Sequence, residues 1–206
     1  DITQPEKSSV YSNSVTVYDN IGTARVVTLY FNKAADNAWE YHACVGAEDV
    51  DGADQNTMVE MANGTLTFTP QGTLQEESVS SNAFNFNKGA APGQKIEFNF
   101  GTSINEGGDG HHASTQYGSK TAVAKHHQDG YSAGALTSLS FNDNGVLSAV
   151  YDNGENRDIS QIAIAKFENN EGLFKVGKNL LKESRSSGQA AMGKPNEQGR
   201  GNVLAK

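Results

Sequence analysis

Apolar and polar positions alternate with a period of two along most of this chain. Val15 and Val17 alternate with Thr16 and Tyr18, and Val27, Leu29 and Phe31 lie opposite Val26, Thr28 and Tyr30. Trp39, Tyr41, Ala43 and Val45 make one face, with Glu40 and His42 on the other. Leu66 and Phe68 follow, and Ile96, Phe98 and Phe100 alternate with Glu97 and Asn99. The pattern returns in Leu139 and Phe141, in Leu147, Ala149 and Tyr151, and in Ile162 and Ile164. Successive side chains of a strand point to opposite faces, so each run predicts a β-strand with one face buried. No segment holds the spacing of an amphipathic helix; Ala53–Ala62 comes nearest.

The breaks are turn chemistry. Asp19-Asn20-Ile21-Gly22, Asn63-Gly64, Asn144-Gly145 and Asn153-Gly154 are the clearest. Asn-Gly tolerates positive φ at two successive residues, as two-residue hairpin turns require. Short strands joined this way predict an all-β chain, with antiparallel strands in two barrel- or sandwich-like domains and long loops. Residues 1–12 are polar and read as a linker or an edge. Residues 103–130 are poor in apolar side chains and rich in Gly, His and Ser, which predicts a long loop. Alternation restarts after Asp129-Gly130-Tyr131, placing a domain boundary near residue 130: 1–130 and 131–206.

Composition sharpens this picture. The chain has 206 residues, 36% apolar, with 22 Gly and 4 Pro, a composition of short strands and tight turns. It lacks a run of eighteen apolar residues, so no membrane span is expected. The formal charge of −8 is uneven: residues 1–130 hold 7 basic and 16 acidic residues, and residues 131–206 hold 9 and 8. An acidic body argues against nucleic acid as a partner. The single cysteine, Cys44, has no disulfide mate and lies in an alternating run, which makes it a small strand residue rather than a reactive or cross-linking thiol.

Candidate chemistry is sparse. His111-His112 and His126-His127 bracket the long loop, but adjacent residues of an extended chain point apart, so each pair offers one ligand per face. They read as polar loop residues, with zinc or copper binding as the alternative. Glu48-Asp49-Val50-Asp51-Gly52-Ala53-Asp54 suggests calcium, yet counting from Asp49 the glycine arrives too early for an EF-hand loop and Glu60 lacks flanking helices. A solvated acidic loop is the favoured reading. Asp143 and Asp152 sit in turns where Asp is ordinary. No nucleophile elbow, Cys–His pair or phosphate-binding loop stands in its required context. The chain is therefore not expected to be an enzyme or to carry a cofactor.

The last forty residues are punctuated too densely by glycine for a helix and hold too little continuous apolar sequence for a buried sheet of their own. Such backbone needs a second body to lie against. Here a family resemblance enters. Asn169-Asn170-Glu171-Gly172-Leu173, then Gly177, Asn179, Leu180, Ser187-Gly188, Ala190, Gly193 and Gly199, resemble the C-terminal stretch of bacterial flagellar hook proteins. Gln128-Asp129-Gly130-Tyr131 through Leu136 resembles a second family motif, and Asn142–Gly145 with Tyr151–Gly154 a pair of its hairpins. Val15-Thr16-Val17-Tyr18-Asp19-Asn20-Ile21-Gly22, Leu29–Lys33, Asp36–Trp39 and Gly64–Phe68 complete a collinear series. Residues 75–127 depart from it.

The resemblance implies a structural subunit that polymerises helically into a curved tube, a universal joint carrying motor torque to the filament. It implies that 1–130 is most of the outer β domain and 131–206 the C-terminal half of the inner one. The other half would precede Asp1, and terminal helices would lie beyond both ends. Implied partners are further copies, other flagellar axial proteins, and the hook cap and hook–filament junction proteins. The implied location is the extracellular hook, reached without a cleaved signal peptide. Asn170, Glu171, Gly172, Leu173, Gly177, Asn179 and Leu180 become candidates for fixing the chain's path or touching neighbours. The isolated stretch is expected to be monomeric. A distal rod protein and a secreted β-rich binding or adhesion module stay open as alternatives.

Overall fold

A computed structural model describes residues 5–54 and 57–204. Its elements run in the order α1 (Pro5–Ser8), β1 (Tyr11–Tyr18), β2 (Ala24–Ala35), β3 (Ala38–Gly46), β4 (Met58–Phe68), β5 (Leu74–Asn82), β6 (Leu136–Phe141), β7 (Val146–Tyr151), β8 (Asn156–Gln161), β9 (Ile164–Lys166), β10 (Phe174–Gly177), β11 (Leu180–Lys182) and β12 (Ala191–Gly193). Single 3-10 turns sit at Ala47–Asp49 and Asn170–Gly172. Among the described residues every strand pair is antiparallel, so the chain is all-β. Two compact units divide it, Asp1–Ala133 and Gly134–Lys206.

The first unit is a meander, β1-β2-β3-β4-β5, in one sheet. Alternation dictates its inner face: Val17, Val27, Leu29, Tyr41, Ala43, Val45, Leu66 and Phe68 converge there. The second layer is irregular. Phe84, Phe86, Ile96, Phe98 and Phe100 pack onto the sheet, yet residues 95–100 form no strand. A Phe84–Gln94 bridge and the Asn82 side chain, which donates to Ile96 O and accepts from Ile96 N, stand in for a ladder. The alternation in 96–100 thus encodes packing without strand pairing.

Other local expectations also change. Residues 58–62, within the nearest approach to a helical pattern, belong to β4. Asn63-Gly64 makes no turn; it lies inside β4, where the register shifts at a bulge. A Cβ on Gly64 would meet the Ser78 carbonyl oxygen and come within 2.7 Å of the Tyr41 ring, so close approach requires this glycine. Four hairpins share one loop, at 19–23, 69–73, 142–146 and 151–155. In each, the first N–H donates to the fifth carbonyl and the fourth residue, a glycine, donates back to the first. Gly22, Gly72, Gly145 and Gly154 all have positive φ, while Asn144 and Asn153 do not. These are type I turns closed by a glycine bulge, not two-residue turns.

The second unit holds the three-stranded sheet β6-β7-β8 and the pairs β12-β9 and β10-β11. The strand expected at Ile162 and Ile164 is interrupted at 162–163, where the chain passes from β8 to β9. Register places Leu139 opposite Ala149 and Phe141 opposite Leu147, giving one apolar face. That face is open: Leu136 and Leu139 are 55% exposed and Phe141 43%, and Ala149 alone among its apolar residues is buried. The whole chain exposes 13868 Å². A globular monomer of this mass exposes about 9,300 Å², and two separate domains divided at residue 133 about 11,000 Å².

Candidate functional site

Two polar clusters tie later segments of the first unit to its sheet. At one end Arg25, fully buried, reaches three segments. Its Nε donates to Asp19 Oδ2 at 3.1 Å, Nη1 to Asp49 Oδ1 at 2.7 Å and to Asn87 Oδ1 at 2.8 Å, and Nη2 to Asn87 O at 2.9 Å. Its guanidinium also lies 5.2 Å from the Phe86 ring centroid. Burial alone would raise the Asp19 carboxyl; hydrogen bonds from Thr23 N–H, Arg25 and Ile21 N–H outweigh it and hold the group below its ordinary value. At the other end Trp39 Nε1 donates to Gln116 Oε1 at 2.7 Å, and Gln116 Nε2 to Asn37 Oδ1 at 3.2 Å.

The acidic stretch 48–54 is accordingly divided. Asp49 belongs to the Arg25 clamp, while Glu48, Asp51 and Asp54 are exposed. Sequence reasoning missed this network because its members are 6, 24 and 62 residues apart. The one readable signal was a basic residue, Arg25, on the inner side of an alternating strand.

The remaining candidate groups do not assemble. Among the described residues no three His, Cys, Asp or Glu side chains converge as metal ligands. His112 pairs with Asp109 at 3.2 Å on an exposed turn. Cys44 is buried in β3, and burial, reinforced by Glu60, pushes its thiol up to about 12, so it is inert as a thiolate at neutral pH. No described helix is long and apolar enough to cross a membrane.

Glu77 on β5 offers a pH handle. Burial raises its carboxyl above the ordinary value, and Glu106 adds to this against a hydrogen bond from Phe100 N–H. A raised carboxyl penalises the folded state once pH exceeds the folded value and leaves it unpenalised below the unfolded one. Glu77→Gln, which keeps an acceptor for Phe100, is expected to raise the melting temperature at pH 7. The gain should vanish in acid below the ordinary glutamate range; melting curves at both pH values decide it.

The seven tail candidates fall into two places. Asn170, Glu171, Gly172 and Leu173 form the second 3-10 turn and its end, capped by Asn169 Oδ1, which accepts from Glu171 N at 3.1 Å. A serine turn locks it: Ser184 Oγ donates to Gly172 O at 2.6 Å, and Asn169 N to Ser187 O at 3.3 Å. A Cβ on Gly172 would lie 2.6 Å from Ser186 C, so this glycine serves close approach rather than an unusual φ. Gly177, Asn179 and Leu180 lie in the β10–β11 hairpin. There Lys178 and Asn179 have φ of 51° and 61°, the two-residue turn that was expected elsewhere in the chain.

Comparison with known proteins adds a family. A sequence model described as the flagellar basal body protein FlaE D2 domain matches residues 1–131. The flagellar hook protein FlgE of Escherichia coli K12 is 33% identical over 182 residues, which cover 87% of this chain and 40% of that protein. FlgE of Treponema pallidum is 27% identical over 227 residues, covering 97% and 48%. The crystal structure of Helicobacter pylori flagellar hook protein FlgE2 resembles this one with a TM-score of 0.52 at 20% identity, over 87% of this chain and 38% of that one, a likeness of fold. The chain spans less than half the length of each of these relatives.

Proposed function

The chain belongs to the flagellar hook protein family, through the FlaE D2 domain that its residues 1–131 match, and from that membership we propose that it is part of a hook subunit. Its role is structural. Copies polymerise helically into the curved, hollow, extracellular tube that joins the flagellar motor to the filament, and other flagellar axial proteins, cap and junction proteins meet it there. The observation that carries this reading is the match over 1–131, supported by hook relatives aligned across both units.

In this reading the first unit is most of the outer β domain and residues 134–206 are one half of the inner one. The open apolar face of β6–β8 supports that division, because a second segment of the longer protein would cover it. The first unit is suited to torque: a five-stranded sheet is tied by polar clusters to Asn87 at one end and to Gln116 at the other, which resists twisting. The locked turn Asn170–Leu173 fixes the path of the tail within its own subunit. Electron microscopy of polymers grown from the full-length protein tests the assignment. Curved hollow tubes are expected; straight rods, or no polymer, would overturn it. This stretch alone should sediment as a monomer in dilute solution.

A further inference from the structure

Among the described residues hairpin β10–β11 pairs with no third strand. Phe174, Val176, Leu180 and Leu181 on it are 56–66% exposed. Lys175, Lys178 and Lys182 are exposed beside them, and no acidic residue lies between 174 and 182. Register sets Phe174 opposite Lys182 and Lys175 opposite Leu181, so each pair couples an apolar group to a cation. A lone hairpin is marginal in water, and this one keeps its apolar groups in solvent. Its complement is an apolar surface with carboxylates and open backbone.

The first unit presents carboxylates, open backbone and one exposed apolar residue at β5, an edge of its sheet paired, among the described residues, only with β4. Ile104 N and Asn105 N donate to Leu74 O and Gln75 O. Along Glu76–Ser81, no further backbone hydrogen bond joins β5 to anything but β4 among the described residues. Glu76 is exposed there and Val79 is an exposed apolar residue. The strand carries neither Lys nor Pro, the residues that commonly blunt an edge.

We propose that hairpin β10–β11 of one copy docks against the β5 edge of a second copy, through lysine–glutamate pairing and apolar contact with Val79. The proposal rests on the assembly reading above and names its contact. The two patches are different surfaces of one chain, so the contact is heterologous, the type from which rings and open helical assemblies are built. Opposed charge fixes register and partner.

Full-length protein carrying Lys175→Glu and Lys182→Glu tests it by the critical concentration for polymerisation. That concentration should rise about tenfold or more, with the dilute monomer melting as the parent does. Adding Gln75→Lys and Glu76→Lys should restore most of the loss. Reversal without rescue, or a lowered melting temperature of the dilute monomer, would overturn the docking and place the hairpin's cover within its own chain. Absence of polymer from the unaltered protein would instead remove the assembly reading and the docking with it.

Discussion

Arg25→Ala is expected to destabilise the first unit by about 3–5 kcal/mol, the cost of breaking a buried ion pair by removing one partner. The Asp19 side chain is fully buried and cannot recover its hydration, and that of Asp49, 18% exposed, recovers it only in part. Asn87 loses its donors, and with them the tie between residues 84–87 and the β1–β2 loop. Lysine should restore little, because one ammonium cannot reproduce a fork that serves Asp19, Asp49 and Asn87 together. Trp39 is the only tryptophan and lies in this unit, so urea unfolding followed by its fluorescence reads the right transition. The Asp19 carboxyl is held below its ordinary value in the folded state, so its pairing stabilises above the unfolded carboxyl range and fails as pH falls through the folded value. The gap between parent and variant should therefore narrow in acid. A loss under about 1 kcal/mol at pH 7 would mean the clamp contributes no more than an exposed pair.

Phe84→Ala should cost a similar amount, about 3–5 kcal/mol, by a different route. Phe84 is fully buried and lies 5.6 Å from Phe86 and 6.2 Å from Phe98, ring centre to ring centre. Residues 84–100 have little ladder hydrogen bonding, so side-chain burial adds to the Arg25 clamp in holding this layer down. Deleting the ring leaves a cavity under a segment free to shift, and Asn87, three residues on, would shift with it. The two substitutions should consequently be non-additive: the double variant should lose less than the sum of the singles. Leucine in place of Phe84 should retain most of the stability. Full additivity of the alanine variants would show that the aromatic layer and the Arg25 clamp act independently.

The faces of β2 and β3 were legible in their apolar alternation because both strands pair on each side, although Tyr30 and Cys44 on the opposite face are buried as well. Val27, Leu29, Tyr41, Ala43 and Val45 face the core as the alternation requires. Ile96, Phe98 and Phe100 alternate equally well, but backbone pairing is not written in side-chain periodicity, and Asn82 supplies the hydrogen bonds instead. Asn63-Gly64 misleads since the same dipeptide suits a turn and a bulge; the Tyr41 ring over Gly64, a tertiary contact, decides which. Residues 58–62 read as helix-like because a bulge at Met61 breaks the alternation of β4. The Arg25 clamp was beyond reach: charges far apart in sequence reveal no pairing until the fold brings them together. In the tail, glycine density was read as backbone that needs a second body to lie against; Gly172 lies against Ser186 of the tail itself. Apolar alternation in 136–151 marks a face to be covered without naming its cover.

Amide hydrogen exchange in β6, β7 and β8 tests most directly the proposal that another segment of a longer hook subunit completes that face. The comparison is between this chain and the full-length protein, both dilute enough to remain unpolymerised. Completion predicts that exchange in these strands slows by about tenfold to a thousandfold in the full-length protein, while β2, β3 and β4 are unchanged. Equal rates in β6–β8 in the two proteins would contradict it.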